Sequence, residues 1–191
     1  MRLLLIRHTT PAIASGHCYG RLDVSLAASA DADLQQALRL IPPVSTVISS
    51  PAARCLALAR RVADRDTASL HRDARLLELD FGEWEGRRWD DIPREQMDAW
   101  ASDPWGHAPG QGESVLALWQ RLDAFRRERL LQIAAGLNAE PVLIIAHQGP
   151  LRVLLAQLLG LPRSAAFDLD IPCGAAGLRR LQLHDGSWRD D

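Results

Sequence analysis

Two short apolar runs, far apart in the sequence, each lead into a histidine. Residues 3–6 are followed by Arg7 and His8, and residues 142–146 are followed by His147. Runs of four or five apolar residues that end at polar groups are typical of strands buried on both faces of a parallel sheet. Ligands bind at the carboxyl ends of the strands in such sheets. If the two runs are neighbouring parallel strands, the two histidines meet at that edge.

A third predicted strand, residues 44–50, brings an arginine to the same edge. Ser50 and Pro51 form an N-cap and first-turn pair that predicts a helix reaching about residue 63. Arg54 would lie in the first turn of this helix, where a positive charge opposes the helix dipole. This placement favours a bound anion near Arg54.

The rest of the chain predicts an α/β domain with an insertion. Helices are expected at residues 31–41, 90–101 and 113 to about 135, with Ile133 facing the core, and another helix begins at Gly149. Residues 69–72 are expected to form a short strand and residues 178–184 an exposed edge strand. With 191 residues and 47% hydrophobic composition, the chain is predicted to be a single domain, residues 1–191, with a lid-like insertion at about residues 76–111.

Composition excludes several classes of partner. The formal net charge of -2 gives no general attraction to nucleic acid, and all 22 basic residues are arginines, so a phosphate site would use guanidinium groups. Cys18, Cys55 and Cys173 contain no C-x-x-C pair, which argues against a disulfide framework or a zinc site. No signal peptide or membrane span is recognised. We therefore expect a cytoplasmic protein without metal or other cofactor, nucleic-acid partner or membrane contact, and its oligomeric state stays open.

The residues converging at the sheet edge suit phosphoryl transfer to an imidazole. A neutral His8 nitrogen would attack phosphorus in line, and the resulting phosphohistidine would be hydrolysed by water. Arg7 and Arg54 would grip the phosphate oxygens, and His147 would add a donor. The departing alkoxide needs an acid. Glu78 is predicted for this role, because it lies in the most apolar part of its segment.

Other residues have less direct interpretations. Glu83 and Glu85 are expected to be surface or loop-stabilising carboxylates. Five tryptophans are expected mostly to pack in the lid and the core, with the first and fourth as candidates to stack on a ring of the substrate: Trp84, Trp89, Trp100, Trp105 and Trp119. In the glycine-punctuated loop at residues 15–23, four residues are expected to contact the substrate: His17, Tyr19, Gly20 and Arg21.

Five motifs, taken in order, resemble the histidine phosphatase superfamily, in the branch that contains cofactor-dependent phosphoglycerate mutase. They are residues 3–9, 49–54, 77–86, 112–114 and 146–152. The resemblance implies a phosphoglycerate mutase-like three-layer α/β/α sandwich, with a mostly parallel sheet and an antiparallel edge strand. It implies that His8 is the nucleophile and Glu78 the proton donor, and that the phosphate pocket is formed by Arg7, Arg54 and His147. We add Gln148 to these phosphate-binding residues.

Within this superfamily, Arg7-His8-Thr9 followed by residues 16–20 and Asp23 is most similar to the α-ribazole phosphatases of cobalamin synthesis. Thr9 replaces a common glycine and Gln148 a small residue, so the substrate stays open. Expected substrates are small-molecule phosphate esters, α-ribazole 5'-phosphate first. The alternatives are a broad-specificity sugar or nucleotide phosphatase, a phosphoglycerate mutase, and a phosphate-ester-binding module without catalysis.

Two rival sites are weaker. Residues 173–179 match the C-x5-R loop of cysteine-dependent phosphatases, but that loop needs a helix at Arg179, where the sequence instead alternates like a strand. A metal site built from the scattered histidines lacks ligand spacing.

Overall fold

The chain is built around one six-stranded sheet. The computed structural model describes residues 2–130 and 141–190. The strands are β1 (Arg2–Arg7), β2 (Thr46–Ser49), β3 (Ser69–Arg72), β4 (Val142–Ala146), β5 (Arg179–His184) and β6 (Ser187–Asp190), and their spatial order is β3-β2-β4-β1-β5-β6.

Strands β1 to β4 are parallel, so their carboxyl ends share one edge of the sheet. In the register between β1 and β4, Arg7 lies opposite Ala146, which places His8 and His147 side by side just beyond the strands. The amide of His8 donates to the Ala146 carbonyl at 3.0 Å, and the amide of Ser50 donates to Ile145 at 2.9 Å. The three strand ends that the sequence predicts to meet are therefore adjacent.

Helices cover both faces of the sheet. They are α1 (Ala30–Leu40), α2 (Ala53–Asp66), α3 (Arg94–Ser102), α4 (Val115–Phe125) and α5 (Gln148–Leu158), and α4 continues into a π-helical turn at Arg126–Leu130. Alternate residues of β1 and β4 point to opposite faces, as the strand period requires. One set packs against α1 and α2 and the other against α4 and α5. This confirms the α/β/α architecture expected from the sequence.

The segment between β3 and α4 has a small apolar cluster of its own. Trp84 and Ile92 are buried in it with Cys18, and α3 supplies Met97 and Trp100. Cys18 comes from the loop after β1, and the amide of Cys18 donates to the Arg87 carbonyl at 2.8 Å. The expected insertion is thus packed against the loop that follows the histidine of β1.

Three expectations about elements need comment. The strand β5 is not the edge, because β6 pairs with it in an antiparallel hairpin and forms the edge itself, giving two antiparallel strands. Ser50 is not a helix cap: α2 begins at Ala53 without a side-chain cap.

The predicted end of the helix near residue 135, including Ile133, lies outside the described residues. Within the described ranges, no helix is both long and apolar enough to cross a membrane.

Candidate active site

His8 lies immediately after β1 and is almost fully buried, with 1% of its surface exposed. Its Nδ1 is 2.7 Å from the carbonyl oxygen of Thr9. A carbonyl only accepts hydrogen bonds, so Nδ1 carries the proton and Nε2 keeps a free lone pair. Burial, reinforced by the charges of Arg54 and Arg7, lowers the pKa of His8 to about 3 despite the Thr9 hydrogen bond. The imidazole is therefore neutral at ordinary pH, as a nucleophile must be.

His147 packs against His8, with ring centroids 5.2 Å apart and planes at 65°. Its Nδ1 accepts a hydrogen bond from Arg54 Nε at 3.2 Å, so its proton is on Nε2, which lies 2.9 Å from Ser50 Oγ. Burial and the nearby charge of Arg54 hold the pKa of His147 well below its usual value. Ser50, expected to cap a helix, instead receives the proton of the second imidazole.

Arg54 is buried at the start of α2. Its NH1 donates to the Leu22 carbonyl at 2.9 Å, and its NH2 donates to the Gly20 carbonyl. The guanidinium carbon also lies 5.8 Å from the ring centroid of Tyr19. The predicted positive charge beside His8 is present, and it is fixed by the loop after β1.

A cavity of about 360 Å³ opens next to His8, within the size range of small-molecule sites. Arg7, Glu78 and Gln148 line its polar end together with His8. Arg7 NH1 donates to the Ile171 carbonyl at 3.3 Å, but Arg7 Nε is buried and finds no partner among the described residues. A buried unpaired guanidinium N–H is costly unless an anion accepts from it. Arg54 and His147 do not line this cavity.

Glu78 is held by two backbone amides at the floor of the cavity. Its Oε1 accepts from the Leu79 amide at 3.0 Å and its Oε2 from the Gly149 amide at 3.3 Å. Burial raises the pKa of Glu78, although these amides and the charges of Arg7 and Arg54 oppose the rise. A Cβ on residue 149 would lie 2.4 Å from Glu78 Oε1, so a larger residue there would displace the carboxylate from this position. The carboxyl can thus carry a proton in the same cavity as His8.

Four aromatic residues also line the cavity, and together they are called its aromatic wall: Phe81, Trp89, Trp100 and Phe167. Trp89 and Trp100 stack with planes 6° apart and centroids 6.4 Å apart. The Trp100 indole N–H is buried and has no partner in the described part of the chain. The rings of this wall suit a flat apolar group.

The four residues expected to contact substrate divide into two pairs. His17 and Tyr19 line the cavity, whereas Gly20 and Arg21 do not. Arg21 pairs with Asp80 at 3.2 Å and Glu113 at 3.4 Å outside the cavity.

Comparison with known proteins assigns the family. The histidine phosphatase superfamily (branch 1) matches residues 3–190. The chain belongs to this superfamily. An adenosylcobalamin/alpha-ribazole phosphatase of Escherichia coli (strain K12) is 32% identical over 185 residues, which is 92% of this chain and 89% of that protein. A glucosyl-3-phosphoglycerate phosphatase of Mycolicibacterium vanbaalenii is 31% identical over 176 residues, which is 84% of this chain and 75% of that protein.

A solved structure agrees with these relatives. The crystal structure of the alpha-ribazole phosphatase from Shigella flexneri has a TM-score of 0.87 and 28% identity, covering 100% of this chain and 95% of the other. This histidine phosphatase is therefore a hydrolase with the fold that its motifs imply. Relatives with similar sequence identity to this chain are named for different phosphate-ester substrates.

The aromatic wall corrects the choice of tryptophans. Trp84 is 1% exposed and belongs to the small apolar cluster of the segment between β3 and α4, and its indole N–H donates to Gln96 Oε1 at 2.9 Å. Trp105 packs edge-on against Trp119 and Phe167 and does not line the cavity. Trp89 and Trp100 line it instead. Sequence reasoning could not separate them, because all four lie in one segment without regular periodicity.

Arg152 also lines the cavity of this histidine phosphatase, and the sequence prediction gave it no role. Its Nε donates to the Leu169 carbonyl, which ties α5 to the segment before Cys173. The available signal was its position on α5, about one turn after His147.

The cysteine loop is not formed. Cys173 precedes a short 3-10 turn at Gly174–Gly177, and Arg179 begins β5, so no helix starts at the arginine. Burial raises the pKa of the Cys173 thiol, which opposes thiolate formation.

Proposed function

We propose that this histidine phosphatase hydrolyses α-ribazole 5'-phosphate by way of a phosphohistidine on His8. The proposal rests on one arrangement above all: a single cavity is lined by Arg7, whose Nε has no partner among the described residues, by the neutral imidazole of His8 and by a wall of aromatic rings. The substrate has matching parts, a phosphate dianion at one end and a flat benzimidazole at the other. The names of the E. coli and Shigella relatives point to the same ester.

The first half of the reaction transfers the phosphoryl group. The dianion lies against Arg7, with the charge of Arg54 nearby, and His8 Nε2 attacks phosphorus. As the N–P bond forms, the P–O bond to the ribose oxygen breaks. Glu78 gives its proton to that oxygen, which leaves as the 5'-hydroxyl of α-ribazole.

The second half regenerates the enzyme. Glu78, now a carboxylate, accepts a proton from water while the water oxygen attacks phosphorus. The N–P bond breaks, inorganic phosphate leaves, and His8 recovers its lone pair on Nε2. The Thr9 carbonyl holds the proton on Nδ1 throughout, so the same nitrogen attacks in every turnover.

A panel of esters tests the substrate. The purified protein should hydrolyse p-nitrophenyl phosphate in the presence of EDTA, and kcat/KM should be highest for α-ribazole 5'-phosphate. The panel includes glucosyl-3-phosphoglycerate, 3-phosphoglycerate, fructose bisphosphates and nucleotides. A higher value for another ester would refute the substrate assignment. Phosphate-ester binding without turnover would identify a binding module instead.

A broad-specificity phosphatase is the second candidate. It is favoured by the glucosyl-3-phosphoglycerate phosphatase relative, whose identity to this chain is close to that of the E. coli protein. Similar kcat/KM values across the panel would support it.

Replacing Trp100 with phenylalanine should lower kcat/KM for α-ribazole 5'-phosphate about three- to tenfold. The phenyl ring keeps the wall apolar but leaves less ring surface to stack on the benzimidazole, and an aromatic pair contributes roughly 0.5–1.5 kcal/mol. Steady-state kinetics with 3-phosphoglycerate, which carries no ring, should change less than twofold. Trp84→Phe is the matched control, since Trp84 does not line the cavity. Equal losses with both esters would contradict a contact to the organic group.

A further inference from the structure

Glu85 makes an unusual set of contacts outside the cavity. Its Oε1 accepts from the amides of Arg21 at 2.8 Å and Phe81 at 3.1 Å. Its Oε2 accepts from the amides of Gly20 at 2.8 Å and Leu22 at 3.0 Å. One carboxylate therefore joins three consecutive amides of the loop after β1 to the lid segment.

The loop fits closely against this carboxylate. A Cβ on residue 20 would lie 1.9 Å from the Leu79 carbonyl oxygen and 3.0 Å from Glu85 Oε1. The contact with the Leu79 carbonyl would force the backbone to move for any residue larger than glycine. Gly20 is thus required for the loop to reach Glu85, which explains its presence better than substrate contact does.

The same loop residues hold Arg54 from their other side. Gly20 and Leu22 give their amides to Glu85 and their carbonyls to the two terminal nitrogens of Arg54. Arg54 in turn donates from Nε to His147. The Arg21 amide, which donates to Glu85, belongs to the same peptide group as the Gly20 carbonyl, so the carboxylate polarises that group and strengthens this carbonyl as an acceptor for Arg54. The contacts form one chain from Glu85 through the loop to Arg54 and His147.

We propose that Glu85 is a positioning residue that fixes the Arg54 guanidinium for binding of the substrate phosphate. This rests on the phosphate role of Arg54 in the proposed function. Glu85 touches neither the cavity nor His8, so its effect passes through the loop and Arg54. Because Glu85 belongs to the lid segment, the lid contributes to the phosphate site as well as to the aromatic wall.

The test is a cycle of Glu85→Gln with Arg54→Lys. Glutamine keeps one oxygen, so its NH₂ group would face two of the amide donors. Two donors cannot bond to each other, so the loop would move away from Glu85 and its carbonyls would no longer be aligned with Arg54. In the wild-type background, Glu85→Gln should raise KM for p-nitrophenyl phosphate and Ki for inorganic phosphate roughly tenfold, with a smaller change in kcat. In the Arg54→Lys background, whose lysine cannot span both carbonyls, Glu85→Gln should have no further effect on either constant.

Glu83→Gln is the matched control. Glu83 lies in the same turn, but among the described residues its exposed carboxylate accepts only from Gln111 Nε2 at 3.0 Å, so both constants should stay at wild-type values. An equal effect of Glu85→Gln in both arginine backgrounds, or a lower Tm with unchanged KM and Ki, would overturn the proposal. If Glu85→Gln does not fold, Glu85→Asp replaces it in the same cycle, with a smaller rise expected. Failure of the wild-type protein to hydrolyse any ester would refute the proposed function, whereas normal wild-type turnover with unaffected variants would refute only the role of Glu85.

Discussion

The His8→Ala variant should lose phosphatase activity by roughly 10⁴-fold or more in kcat. His8 supplies a buried, neutral imidazole with a free Nε2 in the lining of the cavity. His17 also lines the cavity, but it lies in the loop after β1 and is only half-buried. His147 cannot replace His8, because Arg54 and Ser50 occupy both of its ring nitrogens. The measurement is p-nitrophenyl phosphate turnover, with far-ultraviolet circular dichroism to show that the variant folds.

Two further observations make this prediction specific. Cys173→Ser should retain at least about half of the wild-type kcat, since the cysteine loop is not formed. Acid-labile, alkali-stable label from a ³²P ester should be trapped on the wild-type protein after rapid quenching and be absent from His8→Ala. Survival of His8→Ala together with loss of activity in Cys173→Ser would overturn the assignment of the nucleophile.

The Glu78→Gln variant should show an effect that depends on the leaving group. For alkyl esters such as α-ribazole 5'-phosphate, kcat/KM should fall about 10²- to 10⁴-fold, because the alkoxide must be protonated as it leaves. For p-nitrophenyl phosphate, whose phenolate leaves unaided, the fall in kcat/KM should be within about tenfold. The comparison uses kcat/KM for both esters with each protein, because kcat also includes the hydrolysis of the phosphohistidine, in which Glu78 acts for either ester. Equal losses for the two esters would point to a different acid.

The pH profile gives an independent check on Glu78. The acid must be protonated to act, so activity toward alkyl esters should fall as the pH rises through the pKa of Glu78. Burial raises that pKa, which moves the fall to higher pH than for an ordinary glutamate. A bound phosphate dianion moves it further in the same direction, because like charges disfavour ionisation. Glu78→Gln should lack this alkaline limb, whereas Glu83→Gln should keep it.

Part of the site could be predicted because strand ends are visible in a sequence. The apolar runs before His8 and His147 identify buried parallel strands, and parallel strands bring their ends to one edge. The position of Arg54 follows from the helix start after β2. These inferences need only periodicity and topology, and the structure brings all three side chains together.

Other features depend on packing, which local sequence does not encode. Ser50 has the pattern of a helix cap, but its hydroxyl is beside His147 because β2 and β4 are neighbours. Glu85 can be predicted from the sequence only as a surface or loop-stabilising carboxylate, whereas its partners lie in two segments about 60 residues apart that the fold brings together. The tryptophans of the cavity wall are set by how the lid folds on itself.

The position of β1 in the middle of the sheet has a consequence for how the protein is made. Its partners are β4 and β5, which lie far downstream in the chain, so the first strand has to wait until residues 142–146 are synthesised before its backbone can pair. Folding of a chain with such distant contacts is expected to be slow, and newly synthesised molecules would carry an unpaired hydrophobic strand in the meantime. Catalytic competence would consequently emerge only after β4 and His147 have been translated.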